Sequence, residues 1–215
     1  MLNVITIPVT PYQQNCRILV DDCANDAVCV DPGGDIPSIL AALPAKALLS
    51  AIWITHSHID HVSGVNALIG ACDSPLHVVA HADDEINRKF LPQQANMMQF
   101  EYSGAFNVSQ TVDHHDVVSV GDHEFQVLHT PGHAIGHVSL FLANTDNLYN
   151  APMLLAGDAL FQGSIGRTDL PGGNHQQLIA SIQNELFCLP EQTVVCPGHG
   201  PNTTIGHEKK TNPFF

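Results

Sequence analysis

Apolar residues along this chain are spaced in two ways, and the switching between them predicts a mixed α/β fold. Val4 to Val9, Cys16 to Val20 and Ala27 to Val30 are short apolar or alternating runs that read as strands. Asp31-Pro32-Gly33-Gly34 then breaks the chain by turn chemistry. Ile36 to Leu43 reads as a short helix, with Pro37 in the first turn, where a missing N–H costs nothing. Ala47 to Thr55 is a continuous apolar run, as expected of a buried strand. Beyond His61 the period lengthens: Val62, Val65, Leu68 and Ile69 fall on one helical face.

The second half repeats the alternation. Leu76 to Ala80 reads as a strand, and Ala82 to Phe90 as a helix opened by the acidic Asp83, Asp84 and Glu85. Leu91 to Val112 has no clean period and is expected to form loops or short turns of helix near the mouth of a site, with Met97 and Met98 as packing residues. Glu124 to Leu128, Val138 to Leu142 and Met153 to Ala156 follow as strands. Asn174 caps a helix that places Leu178, Ile179, Ile182 and Leu186 on one face. Thr193 to Cys196 is a last strand, and Thr203 to Lys210 a closing helix. Nothing divides the chain, so residues 1–215 are expected to form one domain.

Composition narrows the function classes. Hydrophobic residues make up 44% of 215, enough for a full core without staples. Seven Lys and Arg stand against 21 Asp and Glu, a formal charge of −14. Such a chain repels nucleic acid and anionic membranes, so neither is an expected partner. The six cysteines form no C-x-x-C pair, and no basic, apolar leader precedes them. Reduced thiols in a cytoplasmic protein are therefore expected. The 14 histidines point to chemistry.

The densest signal is Thr55-His56-Ser57-His58-Ile59-Asp60-His61, directly after the longest apolar run. On an extended loop residues i and i+2 project to the same side, so His56 and His58 can reach one metal ion together. Asp60 and His61, where a helix begins, can turn toward a second. Three more segments share one design, an apolar run and a glycine-containing turn beside a potential ligand: FQVLHTPGH ending at His133, MLLAGD ending at Asp158, and VVCPGH ending at His199. Strands ending together at one sheet edge would bring these residues to His56. Imidazole and carboxylate suit zinc and its first-row neighbours.

The motifs T-H-x-H-x-D-H, T-P-G-H, G-D and P-G-H-G resemble those of the metallo-β-lactamase superfamily, and most those of its glyoxalase II branch. The likeness spans the whole chain. PVTPYQQNC, GSIGRTDLPGG and GPNTTIGHEKKTNPFF are similar to short bacterial glyoxalase II-like proteins that lack the C-terminal helical domain. The resemblance implies a four-layered αβ/βα sandwich with two divalent metal ions at one edge, zinc first and iron or manganese as alternatives. It assigns His56, His58 and His133 to one ion, Asp60, His61 and His199 to the other, and Asp158 to both. Asp158, rather than a thiolate, separates the chain from zinc β-lactamases that use cysteine.

Two cations about 4 Å apart can share a water, lower its pKa toward neutrality and direct it at an electrophilic carbonyl. A thioester suits this centre, because its thiolate leaves readily. The resemblance implies hydrolysis of S-lactoylglutathione or a related acylglutathione, with Asp60 orienting the nucleophile. Arg167, in the GRTD segment, could grip a substrate carboxylate bidentately, or pair with Asp169. His137 is expected to support the site from behind. The competing readings are a mononuclear-iron persulfide dioxygenase on the same fold and another hydrolase of the superfamily, of phosphodiesterase or lactonase type.

Overall fold

The computed structural model describes residues 1–215 as two six-stranded sheets packed face to face, with helices on both outer faces. Strands β1 (Leu2–Val9), β2 (Gln14–Asp21) and β3 (Asp26–Val30) form an antiparallel meander. Helix α1 (Ile36–Ala42) crosses to β4 (Leu48–Trp53), which lies parallel to β3. After α2 (Ile59–Val62) and α3 (Val65–Ala71), β5 (His77–His81) adds parallel to β4. Helix α4 (Glu85–Met98) leads to β6 (Gln110–Val112), which closes the first sheet in sequence order.

The second sheet begins with β7 (Val117–Val120), β8 (His123–His129), β9 (Val138–Leu142) and β10 (Met153–Gly157), each antiparallel to the one before. A small hairpin follows, β11 (Leu160–Phe161) and β12 (Ser164–Ile165). Helix α5 (His175–Ser181) runs into a π turn over Ile182–Leu186, and β13 (Val194–Pro197) returns parallel to β10. Strand β14 (Thr203–Thr204) and α6 (Ile205–Thr211) complete the chain. Strands β8, β10 and β13 therefore run in one direction, and their C-terminal ends share one rim.

Three apolar clusters fill the spaces between layers. Between the sheets lie Leu19, Val28 and Trp53 from one side and Phe125, Leu140 and Leu155 from the other. Trp53 and Phe125 meet edge to face at 5.4 Å, a geometry that aromatic quadrupoles favour. Outside the first sheet, Ile18 and Ile52 pack on Ile39, Leu68 and Leu91 from the helices. Outside the second, Leu154 and Val195 pack on Leu178, Ile182 and Leu186. This is the expected αβ/βα sandwich. No helix is long and apolar enough to cross a membrane, and all six cysteines are free thiols.

Two sequence expectations need correction. The stretch from Leu91 opens with more than a short turn of helix, because α4 runs unbroken from Glu85 to Met98 with Pro92 inside it. Asn87, Leu91 and Ala95, four residues apart, bury one face of that helix, while the Pro92 ring sits on the exposed side. The run from Ala47 to Thr55 is not buried throughout either. Leu48 is 73% exposed, and burial of the strand begins at Ala51.

Candidate metal centre

The rim where β4, β8, β10 and β13 end gathers all seven residues singled out by the sequence. Residues 54–58 leave β4 in non-helical backbone, and His58 is extended (φ −74°, ψ 151°) where it caps α2. Two-residue spacing in this segment puts His56 and His58 side by side, their rings 4.7 Å apart. His133, beyond β8, completes a triangle, 4.7 Å from His56 and 4.5 Å from His58 between ring centres. The ligand atoms of these three side chains lie within 4.8 Å of one another.

A second group forms on the helical side. Asp60 and His61 stand in the first turn of α2, and His199 follows β13. Their ligand atoms also lie within 4.8 Å of one another, with His199 Nε2 3.1 Å from Asp60 Oδ2. Asp158 lies between the groups. One oxygen is 3.4 Å from His61 Nε2, and the other is 3.7 Å from His133 Nε2 and 3.5 Å from His199 Nε2.

The outward ring nitrogens are anchored, which aims the others at a common space. His61 Nδ1 is 3.0 Å from Asp31 Oδ2, His133 Nδ1 is 2.7 Å from the Arg167 carbonyl, and His199 Nδ1 is 3.1 Å from the Tyr12 carbonyl. With Nδ1–H donating to these acceptors, the Nε2 lone pairs face inward. His56 Nδ1 lies 3.1 Å from the Thr55 hydroxyl. His137 acts one layer further out. Its Nε2 accepts from the Asp158 backbone N–H at 3.0 Å, and its Nδ1 donates to the Thr130 hydroxyl at 2.8 Å.

Backbone approach is equally constrained. Gly157 ends β10 with φ +48° at a register shift against β13, which turns the chain to present Asp158. Gly198 precedes His199, and a Cβ there would run into Asp158 Oδ1 and come within 2.7 Å of His61 Cε1.

Electrostatics divide the site. Burial, reinforced by the neighbouring imidazoles, holds His56 well below the ordinary histidine pKa, and burial with His133 takes His58 down to about 3. His133 and His137 are lowered, first of all by burial. For His61, burial again pulls downward but is outweighed by Asp158 and Asp60, so its pKa is well raised. His199 is raised in the same way, by its hydrogen bond to Asp60 and the charge of Asp158 against the cost of burial. For Asp158 and Asp60 burial favours the neutral acid, yet the surrounding histidines win and hold both carboxylates low.

Buried His61 Nε2 and Asp158 Oδ1 have no hydrogen-bond partner. Orphaned buried polar atoms are costly. An inward-facing set of histidine nitrogens and two carboxylates fits divalent cations, so the residues present suit the metals the sequence implied.

Arg167 is placed differently. Its side chain is exposed and makes two bonds to Asp169, at 2.7 and 2.8 Å. Its carbonyl, not its charge, reaches the centre. Asp31 was read from the sequence only as part of a turn. In the fold it accepts from the Thr55 N–H at 2.8 Å and the Thr55 hydroxyl at 2.6 Å while holding His61.

Residues 9–199 match the family described as "Metallo-beta-lactamase superfamily". The chain is 34% identical to a hydroxyacylglutathione hydrolase, GloC, of Haemophilus influenzae, over 100% of this chain and 98% of that one. Among solved structures it is similar to the BLEG-1 B3 metallo-beta-lactamase, with TM-score 0.84 and 36% identity over 98% of both chains. It is also similar to TTHA1623 in a di-iron-bound form, with TM-score 0.86 and 33% identity over 98% of this chain and all of the other.

Proposed function

This chain belongs to the metallo-beta-lactamase superfamily of metallohydrolases, and from that membership we propose that it hydrolyses acyl thioesters, S-lactoylglutathione or a related acylglutathione first among them. The observation that carries the proposal is Asp158, one carboxylate within 3.7 Å of histidines from both groups. His56, His58 and His133 would hold one divalent cation, Asp60, His61 and His199 a second, and Asp158 would join them. Zinc is the first choice, with iron or manganese as alternatives; a structural neighbour is di-iron-bound.

When bound, such a pair supplies a water acidic enough to attack near neutral pH and a Lewis acid for the carbonyl oxygen. The chain's own residues do the rest. Asp60, held ionised and anchored through Oδ2 by His199, orients the attacking water. Asp31 and the carbonyls of Arg167 and Tyr12 keep the imidazoles from turning. Preset ligands avoid a reorganisation cost during the reaction. The departing thiolate needs no general acid, since its pKa is near ~8.5.

The test is S-lactoylglutathione hydrolysis by protein of measured metal content. Turnover with two ions per chain, lost with a chelator and in His58→Ala, is expected. A fully metallated protein that leaves every thioester intact overturns the reading. One iron per chain with oxygen uptake on glutathione persulfide would replace it with the oxygenase reading, and cleavage of a β-lactam alone would replace it with lactam hydrolysis.

A further inference from the structure

Beside His58 the surface opens into a cavity of about 330 Å³ between α4 and the loop at Leu170 and Pro171. Its α4 wall includes Phe90, Met97 and Met98. Phe90 and Met97, spaced i and i+7, share one helical face, and Met98 stands about 100° further round the helix. The Phe90 and Met97 face is distinct from the Asn87, Leu91 and Ala95 stripe packed on the first sheet, whereas Met98, seven residues after Leu91, continues that stripe at the end of the helix. Phe90 is 49% exposed and Met97 77%, which leaves a second apolar face of α4 without a partner inside the fold, and Met98 adds a 41% exposed side chain at its edge. No Asp, Glu, Lys or Arg lines the cavity, whose polar residues besides His58 are the neutral amides Asn87, Gln93 and Gln94.

We propose that this cavity is the acyl subsite and that the enzyme selects thioesters with an unbranched apolar acyl chain of several carbons. The inference rests on the thioester-hydrolase reading for the chemistry and adds the substrate class. Two observations point to this occupant. The cavity is walled by His58, a side chain of the candidate metal centre, so a group seated there lies directly beside whatever reacts at that centre. Charged recognition is also weak at this mouth. The Arg167 guanidinium is tied to Asp169, and the larger groove beside Tyr12 carries Asp35 and Glu101 but no lysine or arginine. Discrimination therefore falls to apolar contact. The methionines, flexible and polarisable, suit a chain of variable length.

The test uses metal-loaded protein and two probe series. The first is acetyl-, butyryl-, hexanoyl- and octanoylglutathione, with kcat/KM as the readout. The second is S-methyl-, S-butyl-, S-hexyl- and S-octylglutathione, uncleavable thioethers whose Kd is measured by calorimetry. Both are expected to improve about threefold per methylene until the cavity is full. Met97→Asp is expected to flatten both series. Leu48→Asp, the same change at an exposed residue that begins β4, is expected to leave the slopes intact. No dependence on chain length in either series overturns the subsite. Thioether binding that tightens with length and is lost in Met97→Asp sustains it even if no thioester is cleaved. That result would separate failure of the hydrolase reading from failure of this one.

Discussion

Asp31 Oδ2 lies 3.0 Å from Nδ1 of His61, and both side chains are buried. The pair joins the end of β3 to the first turn of α2 and sets which nitrogen of His61 faces Asp158. Asp31 has left-handed backbone (φ 52°) and also secures Thr55, so one carboxylate fixes the orientation of two neighbouring segments. Replacing it with the isosteric amide keeps the shape but weakens the anchor of one ligand. Asp31→Asn is expected to cost about 10- to 100-fold in affinity for the second metal ion and much less for the first. Competition with a chromogenic chelator would measure both, and equal losses at the two sites would contradict this role.

Gly198 offers a steric test of the same space. Its missing side chain leaves room for Asp158 Oδ1 and His61, and an added methyl would push into both. Gly198→Ala is expected to fold, since its backbone is not in the left-handed region, yet to lose metal and nearly all activity. Metal analysis beside circular dichroism checks this. A variant that keeps two ions per chain would show that the carboxylate can shift.

The seven residues gathered at the rim were readable because each follows a strand and because their type is rare by chance at that spacing. His133, Asp158 and His199 need only strands β8, β10 and β13 to run the same way, which a sandwich of this topology supplies. Their supports were not readable. Asp31 sits in Asp-Pro-Gly-Gly, where turn chemistry already accounts for it, and a carbonyl such as that of Tyr12 or Arg167 has no signature in sequence. The far half of α4 was hidden by Pro92 and a run of glutamines, which mask the spacing of Asn87, Leu91 and Ala95. Hairpin β11–β12 is too short to show a period.

Phe125 is fully buried between the sheets and meets Trp53 edge to face. Phe125→Ala would leave a cavity in the cluster that both sheets share, at a cost of about 3–5 kcal/mol. Chemical denaturation of the metal-loaded protein is expected to show this loss with an unchanged slope. Metal content at low denaturant is expected to stay at the wild-type level, because the substitution lies in the inter-sheet core and not at the rim.

The metal-free centre carries two opposed sets of histidines, and their signs predict a maximum in its stability near pH 6.5. His56, His58, His133 and His137 have pKa values lowered by burial from the ordinary 6.5. Below pH 6.5 the unfolded chain takes up protons that the folded chain refuses, so stability falls as the solution is acidified. His61 and His199 are raised above 6.5, chiefly by Asp158 and Asp60 against burial. Their contribution is complete below 6.5 and is lost as pH rises through their folded values. The metal-loaded protein should behave differently on the alkaline side. A cation at Asp60, His61 and His199 must displace the protons on the two histidines, so its affinity, and the stability it confers, increase with pH. Melting temperatures between pH 5 and 8.5 are therefore expected to peak near 6.5 with chelator and to keep rising past it with saturating metal. Proton release into weakly buffered solution should accompany metal binding at Asp60, His61 and His199 and not at His56, His58 and His133. Parallel pH profiles for the two forms would show that His61 and His199 do not hold these protons in the empty centre.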